Sequence, residues 1–289
     1  MIDDILKIRF DRRVPANDLE QENMLKETLQ HYILASLSKH GLFTEAIFHG
    51  GTCLRIVNEI SRFSEELDFL LKKADRQFKW QNYLSCVQQD CEREGIDFEY
   101  VDRDSCVTAV RKAFLKTDSF GSLLTFRLPF GRHQKRKIRI KLEIDTNPPS
   151  GSSFETAYLM FPRPEPLTVQ TLESGFALKL HALLCRTYVK GRDWYDFLWY
   201  VARGVHPDIH LLGNALFQQG PWAASSVHIT SAWLNTQLSE KIDSIDWNLA
   251  RSDVQRFIFH SDQDALRNWK KAMFKYHVKR LCESMMHEG

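Results

Sequence analysis

The chain has 289 residues, 43% of them hydrophobic, enough to bury a core in one large domain or two ordinary ones, and two are expected. Its 39 Lys and Arg against 37 Asp and Glu leave a formal charge of +2, which excludes a globally basic nucleic-acid binder, so any basic surface has to be local. The six cysteines, Cys53, Cys86, Cys91, Cys106, Cys185 and Cys282, show no CxxC and no close Cys/His spacing, which argues against structural zinc and for reduced thiols.

Met1 to Arg13 puts acids where a signal peptide would be basic, and no apolar run approaches the roughly 20 residues a membrane helix needs. A soluble, cytoplasmic protein without membrane association is expected. Residues 19–39 carry Leu25, Leu29, Ile33, Leu34 and Leu37 at helical spacing and stop at His40-Gly41, which predicts a core-facing helix. Residues 46–49 predict a short buried strand, followed by the turn Gly50-Gly51-Thr52, a helix over 53–59 and a carboxylate strand over 67–71. A helix is predicted over 76–93, with strands over 96–101, 108–115, 123–128 and 137–144 from β-branched content and alternation. Breaks at 147–153 and at the prolines of 161–166 separate this α/β texture from a helical one, with helices over 172–186 and 194–202 and apolar periodicity around 211–218 and 269–286. The expected architecture is α+β: a mixed-sheet lobe over 1–165, then a mainly helical lobe over 166–289 that completes a substrate cleft.

Three constellations carry chemistry. Gly50, Gly51 and Thr52 let backbone approach phosphate oxygens, and a helix beginning there aims its N–H groups and positive dipole end at an anion. Glu66 and Asp68 stand at i and i+2, so on a strand both carboxylates leave one face. In 137–145 strict alternation puts Lys137, Arg139, Lys141, Glu143 and Asp145 on one face; Glu143 is the choice for a third metal ligand, with Asp145 second. Three oxygen ligands suit Mg²⁺ or Mn²⁺, which can serve an in-line phosphoryl displacement. In the helical part Lys179 is placed to neutralise triphosphate charge, and Arg192 with Asp193 opens the next helix, where Asp193 and Asp196 can also serve as caps or partners of Lys190 and Arg192. The basic run Arg132, His133, Lys135, Arg136, Lys137, Arg139 and Lys141 is a candidate RNA-binding hairpin or a solvated hairpin tip. The aromatic set Trp194, Tyr195, Trp199 and Tyr200 fits an interhelical core better than a base-stacking platform.

These segments together resemble the AbiEii/AbiGii-type toxin nucleotidyltransferases, over about Gln21 to Val201. The resemblance rests on the GGT turn, on Arg62-Phe63-Ser64-Glu65-Glu66-Leu67-Asp68-Phe69, on Lys141-Leu142-Glu143, and on Lys179 with Lys190-Gly191-Arg192-Asp193-Trp194-Tyr195-Asp196. It implies a DNA polymerase β-like nucleotidyltransferase lobe, magnesium, an NTP substrate, an RNA acceptor such as the 3′ end of a tRNA, and neutralisation by an antitoxin partner. Glu66, Asp68 and Glu143 are then the metal ligands, with Lys141 beside them in catalysis. Gly50, Gly51, Thr52, Arg55, Ser64, Lys179, Arg192 and Asp193 are the nucleotide-binding set. Glu66 departs from the family pattern, which has aspartate there, and Glu143 stands where many relatives carry aspartate; the added methylene moves the chelating oxygen away from the strand. Two other readings of the same residues are nucleotidyl or phosphoryl transfer to protein hydroxyls, and a nucleotide- or RNA-binding protein with attenuated catalysis.

Overall fold

A computed structural model of the chain describes residues 14–94, 96–102, 119–130 and 134–286, with the backbone alone given for 97–102, 119–130 and 134–137. Among them the strands are β1 (Ala46–His49), β2 (Glu66–Leu71), β3 (Asp97–Asp102), β4 (Ser119–Phe130), β5 (Gln134–Asp145), β6 (Phe154–Leu159) and β7 (Glu165–Gln170). They form one mixed sheet in the order β3-β4-β5-β2-β1-β7-β6. β2 runs antiparallel to β1 and parallel to β5, and β1 is parallel to β7. Alternation sends Leu67, Phe69, Ile138, Ile140, Leu142 and Ile144 into the core, each at most 1% exposed.

The helix α1 (Asp18–Lys39) packs Leu25, Leu29, Ile33, Leu34 and Leu37 into that core and is capped by Asn17, whose side chain accepts from the Glu20 N–H at 2.9 Å. A seven-residue helix, α2 (Gly50–Ile56), links β1 towards β2, and α3 (Gln81–Arg93) follows β2. The helix predicted from 76 begins only at Gln81 because Asp75 holds a turn through the Gln77 N–H, while Phe78 and Trp80 bury their rings against each other and, through Trp80, against Phe69. β6 was not anticipated: its residues are mostly exposed at the sheet edge, so no inward apolar alternation marks it. The strand predicted over 108–115 lies outside the described residues.

Asp90 on α3 fastens that helix to α1. It accepts hydrogen bonds from Ser36 at 2.8 Å and Lys39 at 2.7 Å and pairs with His40 at 2.9 Å. Burial disfavours its charge, but the bonds from Lys39, Ser36 and His40 prevail and lower its pKa from 3.8 to about 2. A carboxylate whose folded pKa lies below its unfolded one stabilises the fold above the unfolded value and loses that contribution as pH falls through the folded value. Urea unfolding should therefore show wild type more stable than Asp90→Asn above about pH 4, the gap closing between pH 3.8 and 2. A gap independent of pH over that window would contradict this account.

The chain divides into two compact units, Met1–Pro148 with Glu155–Val169, and Pro149–Phe154 with Gln170–Gly289. The second contains α4 (Leu172–Cys185), α5 (Gly191–Ala202), α6 (Ile209–Gln218), α7 (Ser231–Ser244), α8 (Trp247–Gln255), a 3-10 segment (His260–Asn268) and α9 (Lys271–Met286). Its core joins Trp194 of α5, Trp247 of α8 and Phe274 of α9, the last two stacked at 4.0 Å between ring centres. Thus Trp194 is a core residue. No helix among the described residues is long and apolar enough to cross a membrane.

Candidate active site

In the first unit the site is a product of strand register. β2 pairs with β5 so that Glu66 lies opposite Lys141 and Asp68 opposite Glu143. The inward neighbours Leu67 and Leu142 are fully buried, so the pleat turns the four polar side chains to the other face. Glu66, Asp68 and Glu143 each place a carboxylate oxygen within 4.8 Å of the others. Lys141 sits among them: its Nζ is 3.5 Å from Glu66 Oε1 and donates to Glu143. Burial opposes its charge, but Glu143, Glu66 and Asp68 outweigh that and raise its pKa above that of an ordinary lysine. Asp145, the alternative third ligand, is displaced along β5 opposite Leu70, and its carboxylate accepts from the Asn147 N–H at 3.1 Å.

The donor set fits a hard divalent cation. An ion roughly 2.1 Å from each ligand needs oxygens no more than roughly 4.2 Å apart, which modest side-chain adjustment reaches from the arrangement present. All three candidate ligand atoms are oxygens, and among the described residues no thiol or imidazole belongs to the cluster.

The glycine turn is fitted against the same carboxylates. Gly50 has φ +76, and a Cβ there would stand 2.7 Å from Asp68 Oδ2. A Cβ on Gly51 would meet the buried Arg62 guanidinium at 2.7 Å and Ser64 Oγ at 3.1 Å. Helix α2 starts at Gly50 rather than at the predicted Cys53, so the glycines form its first turn. Thr52 is fully buried and its hydroxyl donates to the Glu66 carbonyl, tying the turn to β2. Its side chain is therefore committed to the fold, leaving its backbone for any ligand. Arg55 is held by Glu27 of α1 at 2.6 Å and by the Ile60 carbonyl at 2.9 Å. Gly50→Ala is expected to cost about 1–3 kcal/mol in backbone strain and to displace the Asp68 carboxylate. Transfer activity should fall sharply in a variant that circular dichroism finds folded, and wild-type activity would refute the close packing.

In the second unit, α4 and α5 bring a lysine between two buried aspartates. Lys179 Nζ lies 2.7 Å from Asp193 Oδ1 and 2.8 Å from Asp196 Oδ2, and Arg186 Nη1 is 3.1 Å from Asp193 Oδ2. Asp193 and Asp196 are 2% and 0% exposed. Burial works against the Asp193 charge, but Lys179, Arg186 and Lys190 hold its carboxyl far below the usual range. The aspartates thus answer to Lys179 and Arg186 rather than capping α5, whose N-cap is Lys190. Arg192 lies over the Phe257 ring at 4.0 Å, with its Nε 4.0 Å from Asp253. Gly191 permits this crossing: a Cβ there would fall 1.9 Å from the Ala250 carbonyl oxygen of α8.

A family model, the AbiEii toxin nucleotidyl transferase of type IV toxin–antitoxin systems, matches residues 32–269. The chain belongs to this family. Two solved structures resemble the AbiEii-family chain: a candidate nucleotidyltransferase from H. pylori (18% identity, 91% of this chain and 96% of that one, TM-score 0.49) and JHP933 from Helicobacter pylori (16% identity, 92% of each chain, TM-score 0.50). A search among curated proteins finds no match. The family and the mixed sheet with its helices agree with the α+β nucleotidyltransferase fold expected from the sequence.

Of the sequence-derived site residues of this AbiEii-family chain, the structure brings together Glu66, Asp68, Lys141 and Glu143, with Gly50 against Asp68. Lys179 and Asp193 are joined to each other within the second unit. Arg62 was missed as a positioning residue, since an arginine beside a loop reads as solvated, and only its burial beneath Gly51 reveals its place. In the basic run, Arg132 and His133 lie outside the described residues, as do the side chains of Lys135, Arg136 and Lys137. Of the remainder Arg139 is exposed, whereas Lys141 belongs to the carboxylate cluster.

Proposed function

We propose that this protein transfers a nucleoside monophosphate from an NTP to an RNA acceptor, the 3′ end of a tRNA, the acceptor oxygen bonding the α-phosphorus as the α–β anhydride bond breaks and pyrophosphate leaves, with Mg²⁺ or Mn²⁺ held by Glu66, Asp68 and Glu143. The observation that carries the proposal is the β2–β5 register, which gathers three carboxylates and one lysine from segments 75 residues apart. A divalent ion bound by these carboxylates supplies Lewis-acid stabilisation of charge on the transferring phosphoryl group. Glu143 accepts the proton of the acceptor hydroxyl, and Lys141, held between Glu66 and Glu143, offsets developing negative charge. Gly50, Gly51 and the backbone of Thr52 approach the nucleotide phosphates, with Arg55 and Ser64, whose Oγ lies beside Gly51, completing the nucleotide-binding set of this unit. Arg192 and Asp193, in the K-x-RD-x-x-D element, and Lys179, on the helix before it, are taken as nucleotide-binding residues on the family resemblance, with Lys179 and Asp193 paired to each other in this structure. The family supplies the expectation of an antitoxin partner.

The test is mass spectrometry of total tRNA after incubation with the purified protein and all four NTPs. Addition of one or more nucleotide residues at the 3′ end is expected. Label appearing on cell protein in a mixed incubation, with RNA unmodified, would replace the acceptor in this proposal.

A further inference from the structure

On the polar face of the first-unit sheet, β2 and β5 set four charged side chains at the corners of one block, Glu66 opposite Lys141 and Asp68 opposite Glu143. Three corners are acids and the fourth is a lysine. Lys141 Nζ lies 3.5 Å from Glu66 Oε1 and is paired with Glu143, so two of the three carboxylates that fit a divalent cation already hold an ammonium. The side chains of Lys141, Glu66 and Glu143 are only 22%, 27% and 24% exposed, which keeps these charges partly out of water, where screening is weak. Carboxylates gathered this closely on neighbouring strands repel, and Lys141 supplies the opposing charge from within the chain. A divalent ion on the same oxygens would meet that ammonium as a like charge: the two compete for the lone pairs of Glu66 and Glu143 and repel each other at short range. Lysine is suited to yield, because its ammonium is a point charge on a flexible four-carbon stem rather than a planar fork fixed to one carboxylate.

We propose that Lys141 is the internal cation of the carboxylate cluster, opposing a divalent ion in the free protein and yielding its place when a triphosphate offers other anionic oxygens to its ammonium. The inference rests on the metal-ligand reading of Glu66, Asp68 and Glu143 above and adds an order to it: metal alone binds weakly, and metal with nucleotide binds tightly. Linkage makes the effect reciprocal. A nucleotide that draws the ammonium onto its phosphates raises metal affinity, and the metal raises nucleotide affinity by the same factor.

The test uses the full chain with Mn²⁺ as the probe, for wild type, Lys141→Met, Lys141→Gln, Lys141→Arg and Asp68→Asn. Binding of Mn²⁺ alone is read from the paramagnetic resonance of the free ion, and binding of α,β-methylene NTP analogues in saturating Mn²⁺ by calorimetry. Lys141→Met should bind Mn²⁺ about tenfold tighter than wild type, the direction set by removing a like charge from the site, and should bind the analogue more weakly. Lys141→Arg keeps a cation and should bind Mn²⁺ no tighter than wild type. In chelator Lys141→Met should unfold at a lower temperature than wild type, and Mn²⁺ should raise its unfolding temperature by more. If Lys141→Met fails to fold, Lys141→Gln decides. Loss of Mn²⁺ binding in Asp68→Asn, with the lysine variants binding no tighter than wild type, overturns the competition and leaves the metal reading standing. Tighter Mn²⁺ binding with undiminished analogue affinity overturns the transfer of the ammonium to the triphosphate. Mn²⁺ binding that ignores Asp68 in every variant sinks the metal reading and this inference together. Opposite shifts in metal and analogue affinity, in a protein that leaves RNA unmodified, would sink the transferase reading and keep the role of Lys141.

Discussion

Asp68→Ala is expected to lose nucleotide transfer to RNA by at least about a thousandfold while remaining folded. Asp68 is the carboxylate that touches both halves of the first-unit site: it lies opposite Glu143 across the β2–β5 pair and against Gly50 across the turn. In the proposed metal role, loss of one of three oxygen ligands removes several kcal/mol of charge stabilisation at the phosphoryl group, and roughly 4 kcal/mol corresponds to that factor. Stability should change little, because the side chain is only half-buried and its loss relieves repulsion with Glu66 and Glu143. Labelled NTP, purified tRNA and a thermal melt suffice. An alanine variant that labels RNA as well as wild type would mean the site lies elsewhere.

Lys179→Met should be the most destabilising of the substitutions considered, by about 3–5 kcal/mol, since it leaves Asp193 and Asp196 buried without their shared ammonium. The partners make the prediction sharper than a simple loss. Converting both aspartates to asparagine in the Lys179→Met background should recover much of the stability, because the penalty belongs to uncompensated charge rather than to the missing lysine. Chemical denaturation of the single and triple variants measures this directly. A single variant within about 0.5 kcal/mol of wild type would show that the ion cluster contributes nothing to the fold.

The local signals were readable where chemistry and secondary structure coincide within a few residues. The strand at 46–49, the glycine turn, the Glu66/Asp68 pair and the alternation that puts Lys141 beside Glu143 all follow from short-range pattern. What escaped is what the chain settles at long range. No local feature of 66–71 or 134–145 says that the two strands pair in parallel, and without that register the choice between Glu143 and Asp145 stays open. Lys179 looked available because its partners stand 14 and 17 residues on, beyond helical neighbours, and only the packing of α4 against α5 commits it. In the C-terminal third, α7 buries a narrow stripe of Leu234, Leu238 and Ile242 among polar residues, too thin a signal to stand out.

The parallel pairing of β2 with β5 also governs when the site can exist. A hairpin could close its partners as soon as they are made, but these strands need the whole intervening chain, β3 and β4 included, before they meet. During synthesis, Glu66 and Asp68 emerge long before Lys141 and Glu143, so a chain interrupted ahead of β5 holds two carboxylates and nothing to complete them. The carboxylate cluster is therefore a late product of translation, complete only once β5 has been made.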